Sequence, residues 1–141
     1  MSNAHPQVHA IVSDAERERL LVTARNMLAR AYAPYSKFRV GAAVLTTAGN
    51  IYAGCNVENA SYGLTNCAER TAIFSAVAAE GVSMRLRVVV VVNSQNVQCS
   101  PCGACRQVMF EFGPDAIVLF QGARGIEEST ARALLPAGFT L

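Results

Sequence analysis

The sequence predicts an α/β fold in which a mixed β-sheet is sandwiched between helices. The first observation is the order of the segments, because a hairpin pattern is followed by alternating helical and strand-like stretches. The second is the run of five valines at 88–92, which indicates a buried core strand of a mostly parallel sheet. The third is the length of 141 residues, which suits one domain with a real core. We therefore expect a flexible N-terminal tail at 1–12 and a single domain at 13–141.

The first predicted element is a helix. Ser13 and Glu16 have the spacing of a capping box, in which each residue satisfies a backbone amide of the other. Apolar residues then recur at helical intervals as far as Ala31. This pattern predicts a helix over about 14–32, ended by the Pro-Tyr-Ser segment at 34–36.

A β-hairpin is predicted next. Two stretches rich in β-branched and apolar residues, 38–46 and 51–56, flank a turn segment that contains Gly49. Gly41 and Gly54 lie inside these strands, and a glycine in a strand interior marks either a bulge or a close approach of another backbone. Both readings stay open at this point.

Helices and strands then alternate to the end of the chain. The predicted helices cover 67–80 and 102–112, and each is followed by a glycine that can end it. The predicted strands cover 86–92 and 116–121. A short helix at 130–135 precedes the last proline.

Composition excludes several classes of function. The net charge is only +2, from 12 basic and 10 acidic residues, and no basic stripe indicates a nucleic-acid partner. No apolar run reaches the roughly 18 residues that a membrane span needs, although 52% of the residues are hydrophobic. That excess of apolar residues indicates subunit contacts. Five cysteines, an odd number, and no visible secretory signal predict reduced thiols and a cytoplasmic protein.

Three cysteines and one glutamate form the pattern of a catalytic zinc site. Cys67 is followed by Glu69, and Cys102 and Cys105 form a Cys-x-x-Cys pair. A structural zinc site is closed by four protein ligands, whereas a catalytic one keeps a position open, so three thiols and a non-ligand acid fit the second kind. The alternatives are inert buried cysteines, a redox pair, or a structural site with Cys99 as a further ligand.

The predicted helices support the catalytic reading. Cys67 and Cys102 each open a helix, where free backbone amides and the helix dipole stabilise a thiolate. Three thiolates on Zn²⁺ leave a net charge of −1, which weakens the ion as a Lewis acid. Arg70 lies one helical turn after Cys67 and can offset that charge by donating to the sulfurs. The alternative for Arg70 is an ordinary surface ion pair.

These motifs resemble a known family. The resemblance covers nearly all of residues 32–139 and is to the small homotetrameric cytidine deaminases, which are zinc-dependent enzymes. It implies a three-layer α-β-α sandwich with a mixed five-stranded sheet, and one zinc ion per chain held by Cys67, Cys102 and Cys105. The stretches that carry it are Gly54-Cys55-Asn56-Val57-Glu58-Asn59-Ala60, Cys67-Ala68-Glu69-Arg70-Thr71-Ala72 and Ser100-Pro101-Cys102-Gly103-Ala104-Cys105-Arg106-Gln107.

The implied reaction is the hydrolytic deamination of cytidine and 2′-deoxycytidine to the uridines and ammonia, a step of pyrimidine salvage. We expect Glu69 to shuttle protons while zinc-bound hydroxide attacks C4 of the base. A plain alternative for Glu69 is an acid that only serves the helix dipole. The resemblance also implies that Arg70 bonds the ligand thiolates.

The resemblance further assigns residues to the nucleoside and to the neighbouring subunits. We expect Asn56 and Glu58, which alternate along a strand, to face the ribose hydroxyls. Plain core packing is the alternative for Phe38, intrasubunit packing for Tyr62, and disorder for Phe139. The implied substrate-binding set is Phe38 on the pyrimidine ring, the backbone around Ala68 on its polar edge, Asn56 and Glu58 on the sugar, and Ala60, Tyr62 and Phe139 from adjacent subunits.

Three rival functions stay open. The blasticidin S deaminases share Cys-Ala-Glu and Pro-Cys-Gly-x-Cys-Arg-Gln with this chain, although Phe38 and the stretch from Asn56 to Asn59 favour a nucleoside. Editing of a polynucleotide is disfavoured because the chain lacks tryptophan and basic patches. A noncatalytic zinc module, in which the metal serves folding alone, is disfavoured by Glu69.

Overall fold

The computed structural model describes residues 12–141, and everything structural below concerns that part of the chain. Four α-helices and five strands follow one another along it, with 3₁₀ turns at three of the connections. The elements are α1 (Asp14–Asn26), β1 (Val40–Thr46), β2 (Ile51–Cys55), α2 (Ala68–Glu80), β3 (Leu86–Asn93), α3 (Gly103–Phe112), β4 (Ile117–Gly122), β5 (Gly125–Thr130) and α4 (Ala131–Leu134).

The five strands form one mixed sheet in the order β2-β1-β3-β4-β5. β1 pairs antiparallel with both β2 and β3, and β4 pairs antiparallel with β5. Only β3 and β4, which are joined through α3, run parallel. The mixed five-stranded sheet is therefore confirmed, but the expectation of a mostly parallel sheet is wrong. A valine-rich strand indicates burial on both faces, and here the helices supply that burial while β1 supplies an antiparallel neighbour.

Helices cover both faces of the sheet, which gives the three layers. On one face the residues of α2 and α3 pack with Val89 and Val91 of β3. On the other face α1 packs with Val88 and Val90. The successive valines thus point to opposite layers, as the period of a strand requires.

The helix α1 is shorter than its apolar pattern indicates. Its capping box is present, because the Ser13 hydroxyl accepts from the Glu16 amide and the Glu16 carboxylate accepts from the Ser13 amide. The helix ends at Asn26, and a 3₁₀ turn at Met27–Arg30 follows where 14–32 had been predicted as one helix. A tighter last turn is common at helix ends, and Leu28 within it packs against the cluster under α1.

The glycine in β2 marks a close approach and not a bulge. A Cβ built at Gly54 would lie 2.4 Å from the Ala72 nitrogen and 2.6 Å from the Ala68 oxygen. Because only a residue without a side chain fits there, the backbone of α2 lies directly on β2. This contact fixes how far the first turn of α2 stands from the sheet.

Two predictions concern the ends and the extent of the chain. The predicted flexible tail at 1–12 lies, apart from Val12, outside the described residues. Val12 itself packs against the cluster under α1. The single domain over 13–141 remains a prediction. Within 12–141, no helix has the length and apolarity needed to cross a membrane.

Candidate active site

Two helix N-termini bring three thiols together. Cys67 is the N-cap of α2, Cys102 is the N-cap of α3, and Cys105 lies in the first turn of α3. The Cys105 amide donates to the Cys102 sulfur over 3.5 Å, as a capping side chain does. The three sulfurs lie within 4.8 Å of one another. The predicted ligand set is thus assembled by two elements that are distant in sequence.

The spacing of the sulfurs fits a tetrahedral metal. Two sulfurs that bind zinc at ~2.3 Å with a tetrahedral angle stand ~3.8 Å apart. The Cys67 and Cys102 sulfurs are 3.7 Å apart. Cys99 is not part of this cluster, and its amide instead donates to the Gln121 carbonyl at an isolated bridge. The arrangement within 12–141 therefore favours the three-thiolate site over the one that uses Cys99.

The surroundings of the thiols shift the pKa values of Cys67 and Cys105 in opposite directions. Hydrogen bonds from the Cys105 thiol and then from Arg70 lower the pKa of Cys67 to about 5, against the opposing effect of burial. The same bond to Cys67, together with burial, raises the pKa of Cys105. Arg70 Nη2 lies 3.3 Å from the Cys67 sulfur, as the sequence predicts. A metal ion that takes all three sulfurs must displace the remaining protons.

Glu69 is a buried carboxyl beside the thiols. Only 5% of its surface is exposed, and its Oε2 accepts from the Cys105 sulfur over 3.5 Å. Burial, and next the charge of Cys67, raise its pKa above the usual value. A carboxyl with a raised pKa can give a proton as well as take one at neutral pH, which is what acid–base catalysis needs.

A cavity of about 260 Å³ opens onto this cluster. It is slightly smaller than the ~300–1,000 Å³ of most ligand pockets. Its walls include the start of β1, the end of β3 and the first turn of α2. The predicted residues that line it are Phe38, Asn56, Glu58, Cys67, Ala68, Glu69 and Cys102.

The two polar residues predicted for the sugar are also bound to their own chain. The Asn56 side-chain oxygen Oδ1 accepts from the Val40 amide at 2.8 Å, and Nδ2 donates to the Phe38 backbone carbonyl at 2.8 Å. Glu58 Oε1 accepts from the amides of Tyr35 and Ser36. Asn56 follows the last residue of β2, so the two side chains face the cavity from the loop after the strand.

Three predicted residues lie outside the cavity of their own chain. Tyr62 is 76% exposed and Phe139 is 68% exposed, and Ala60 is exposed as well. Tyr62 packs edge-on against Tyr35, with ring centroids 6.0 Å apart. The Phe139 carbonyl accepts from Gln107. Within the described chain, these residues do not join the site around Glu69.

Sequence reasoning missed several residues that line the cavity, and Ser36 and Asn93 are two of them. Ser36 had been read only as part of the segment that ends the first helix, yet its hydroxyl donates to Glu58. Asn93 is 4% exposed at the end of β3, and its side chain closes the following loop through the Gln95 and Val97 backbone. Serine and asparagine favour turns because their side chains accept from the backbone amide two residues later, as Ser36 and Asn93 do here. That preference is the sequence signal that could have identified both.

Comparison with known proteins agrees with this geometry. The family described as "Cytidine and deoxycytidylate deaminase zinc-binding region" matches residues 14–121. A cytidine deaminase of Sporosarcina psychrophila is 47% identical over 125 residues, which cover 87% of this chain and 90% of that protein. The crystal structure of cytidine deaminase from Burkholderia pseudomallei is 46% identical with a TM-score of 0.78, and the match covers 86% of this chain and 98% of that one. A blasticidin-S deaminase of Bacillus cereus is 30% identical over 121 residues, 74% of this chain and 79% of that protein.

Proposed function

Because this chain belongs to the cytidine and deoxycytidylate deaminase family, we propose that it hydrolyses cytidine to uridine and ammonia with one zinc ion per chain. We extend the proposal to 2′-deoxycytidine. A step of pyrimidine salvage is the role that fits such a reaction.

One observation carries the proposal. A buried carboxyl, Glu69, lies within 3.5 Å of a three-thiol cluster at the end of a cavity sized for a small molecule. A metal that serves folding alone needs neither an acid beside it nor a cavity leading to it. The arrangement therefore supports hydrolysis and disfavours a noncatalytic zinc module.

Cys67, Cys102 and Cys105 are the residues that would hold the zinc ion. Bound there, zinc supplies a Lewis acid that activates water near neutral pH. Arg70 donates to the Cys67 sulfur and so withdraws negative charge from it. The two helix N-termini act in the same direction, since they place partial positive charge at Cys67 and Cys102.

Glu69 is the proposed proton carrier. Its carboxylate takes a proton from the attacking water and passes it to ring nitrogen N3, which makes C4 more electrophilic. The carboxylate then takes the proton of the new C4 hydroxyl and delivers it to the amino group, so that C4 becomes a carbonyl as the C4–N bond breaks and ammonia leaves. The burial of Glu69 beside the thiols, within 3.5 Å of the Cys105 sulfur, places it for both transfers.

The remaining cavity residues are proposed to hold the nucleoside. The Phe38 ring packs on the pyrimidine, and the backbone at Ala68 contacts the polar edge of the base. Asn56 and Glu58 contact the ribose. A carboxylate has about four acceptor positions and an amide two donors and an acceptor, so each side chain keeps capacity beyond its own-chain bonds.

The proposal favours cytidine over blasticidin S. Identity to the cytidine deaminase of Sporosarcina psychrophila is 47%, against 30% to the blasticidin-S deaminase of Bacillus cereus. Phe38 and Glu58 both line the cavity, and an aromatic face beside a hydroxyl-binding acid matches a nucleoside.

We propose that the enzyme is a cytoplasmic homotetramer with shared active sites. Tyr62, Leu64 and Phe139 are large apolar side chains that are each at least two-thirds exposed, and burial in a subunit contact would remove them from water. Ala60, Tyr62 and Phe139 would then complete the cavity of a neighbouring copy. Three reduced thiolates favour a reducing compartment. The molar mass by light scattering tests the assembly, and a fully active monomer contradicts it.

The function is tested with purified wild type and Glu69→Gln. Ultraviolet absorbance is followed with cytidine, 2′-deoxycytidine and blasticidin S, and zinc is measured on the same samples. We expect turnover of both nucleosides by wild type and a loss of ~100-fold or more in Glu69→Gln, which keeps about one zinc per chain. Zinc-loaded wild type that leaves cytidine unchanged would overturn the proposal.

A further inference from the structure

Ser36 lies at the wall of the cavity between the residues proposed for the base and for the sugar. We propose that Ser36 is a positioning residue for sugar recognition: its hydroxyl holds the Glu58 carboxylate and the Phe38 backbone in the one arrangement that binds a ribose. This inference rests on the proposed nucleoside substrate. It concerns a residue that touches neither the metal site nor Glu69.

The hydroxyl of Ser36 joins two binding residues directly. It donates to Glu58 Oε2 and accepts from the Phe38 amide at 3.0 Å. The Ser36 amide also donates to Glu58 Oε1 at 3.2 Å. One residue thus contacts both oxygens of the carboxylate and the backbone of the aromatic residue, so the Glu58 carboxylate and the Phe38 backbone are linked through Ser36.

The backbone between these contacts adopts a conformation that side chains disfavour. Lys37 has φ 60°, in the left-handed region, where a Cβ lies too close to the following carbonyl oxygen. Such conformations persist where surrounding bonds hold them. Here the Lys37 amide donates to the Ala33 carbonyl, and the Ser36 hydroxyl bonds across Lys37 to Phe38. Without the hydroxyl, the bond that spans Lys37 is lost from the set that restrains this turn.

Counting acceptor positions shows which oxygen of Glu58 is available to the sugar. Oε1 accepts from the amides of Tyr35 and Ser36, which fill its two lone pairs. Oε2 accepts from the Ser36 hydroxyl and keeps a second lone pair. The Ser36 hydroxyl therefore orients the one oxygen that can still accept from a ribose hydroxyl. The pKa of Glu58 lies below its usual value, chiefly because of this hydroxyl, which keeps the oxygen charged and acceptor-only.

The test compares two substrates that differ at the sugar. Steady-state kinetics are measured with cytidine and with 2′,3′-dideoxycytidine, which lacks both secondary hydroxyls, for wild type, Ser36→Ala and Ser36→Thr. For Ser36→Ala we expect KM for cytidine to rise ~10-fold or more, since bonds to a charged group are stronger than neutral ones, with kcat within about 2-fold. KM for the dideoxynucleoside should change less than about 2-fold. Ser36→Thr keeps a hydroxyl and should restore most of the affinity for cytidine.

The control is Ser75→Ala, which removes a serine hydroxyl from the exposed side of α2, where it donates to the Thr71 carbonyl. It should match wild type on both substrates. An equal rise in KM for both substrates in Ser36→Ala, or no rise for either, would overturn the inference while leaving the proposed function intact. Failure of wild type on cytidine would instead overturn the function and this inference together. If Ser36→Ala does not fold, Ser36→Thr decides, because a change in its cytidine KM of more than about 10-fold contradicts the role given to the hydroxyl.

Discussion

Gly54→Ala tests whether the contact between β2 and α2 sets the geometry of the site. The new Cβ would lie 2.4 Å from the Ala72 nitrogen, whereas ordinary contacts begin at 3.4 Å, so α2 must move by ~1 Å. Overpacking of this kind costs ~1–3 kcal/mol of the free energy of unfolding. At ~3–4 °C per kcal/mol for a chain of this size, Tm should fall by ~3–12 °C. Because α2 begins at Cys67 and carries Glu69, the same displacement should lower kcat by up to ~100-fold.

The assay combines thermal unfolding with the cytidine turnover of zinc-loaded protein at a temperature where both forms are folded. Ser75→Ala is the control for Tm, because Ser75 is exposed on α2 and its hydroxyl bonds the Thr71 carbonyl of its own helix. A Gly54→Ala protein with the Tm and kcat of wild type would refute the reasoning, since α2 would then not depend on close contact with β2. A loss of Tm with unchanged kcat would refute only the link from that contact to the catalytic site.

Two further predictions concern charge. Arg70→Gln removes the hydrogen bond to the Cys67 sulfur, so we expect kcat to fall ~10–100-fold or zinc to dissociate faster, as measured with a chromogenic chelator. Arg132→Gln, at an exposed arginine, is the control. Equal kcat and zinc retention in Arg70→Gln and wild type would contradict the role of Arg70. Glu16→Gln should lower Tm at pH 7, because the Arg87 hydrogen bonds, followed by the Ser13 amide, lower the pKa of Glu16 from 4.5 to about 2. A carboxyl with a lowered pKa stabilises the fold above pH ~4.5, and this stabilisation is lost as the pH falls towards 2. The difference in Tm between metal-free wild type and metal-free Glu16→Gln should therefore shrink over that pH interval. A difference in Tm that does not depend on pH would contradict the role given to the Glu16 charge.

The elements that the sequence predicted well are those whose signals are local. The capping box of α1 and the glycine after α2 mark helix ends by hydrogen bonds within a few residues, and both are present. The strand β5 was missed because Gly125–Thr130 is a polar edge strand whose central residues are exposed glutamates. Its pairing with β4 follows from the short turn between Gly122 and Gly125, and not from any apolar alternation.

In the candidate site, too, local sequence signals predicted some residues, whereas contacts between distant residues could not be predicted. The three thiols could be predicted because their motifs are short and resemble those of a known family, and two of the thiols open helices that the local pattern also indicates. The bonds of Glu58 to Tyr35 and Ser36 could not, since they join residues 22 and 23 positions apart and depend on the left-handed backbone at Lys37. That Tyr62 and Phe139 lie outside their own chain's cavity is likewise a property of the folded surface, which no motif records.

The thiols that would hold the metal are far apart along the chain, so a bound metal also stabilises the fold. Cys67 and Cys102 are 35 residues apart, and the whole of β3 lies between them. A metal ion shared by the two is a cross-link that closes this loop, and the loop-closure model assigns ~4 kcal/mol to a permanent link of that length. The site that makes the protein a catalyst therefore also restrains its unfolded chain, and a chelator should shorten the lifetime of the fold as well as stop the reaction.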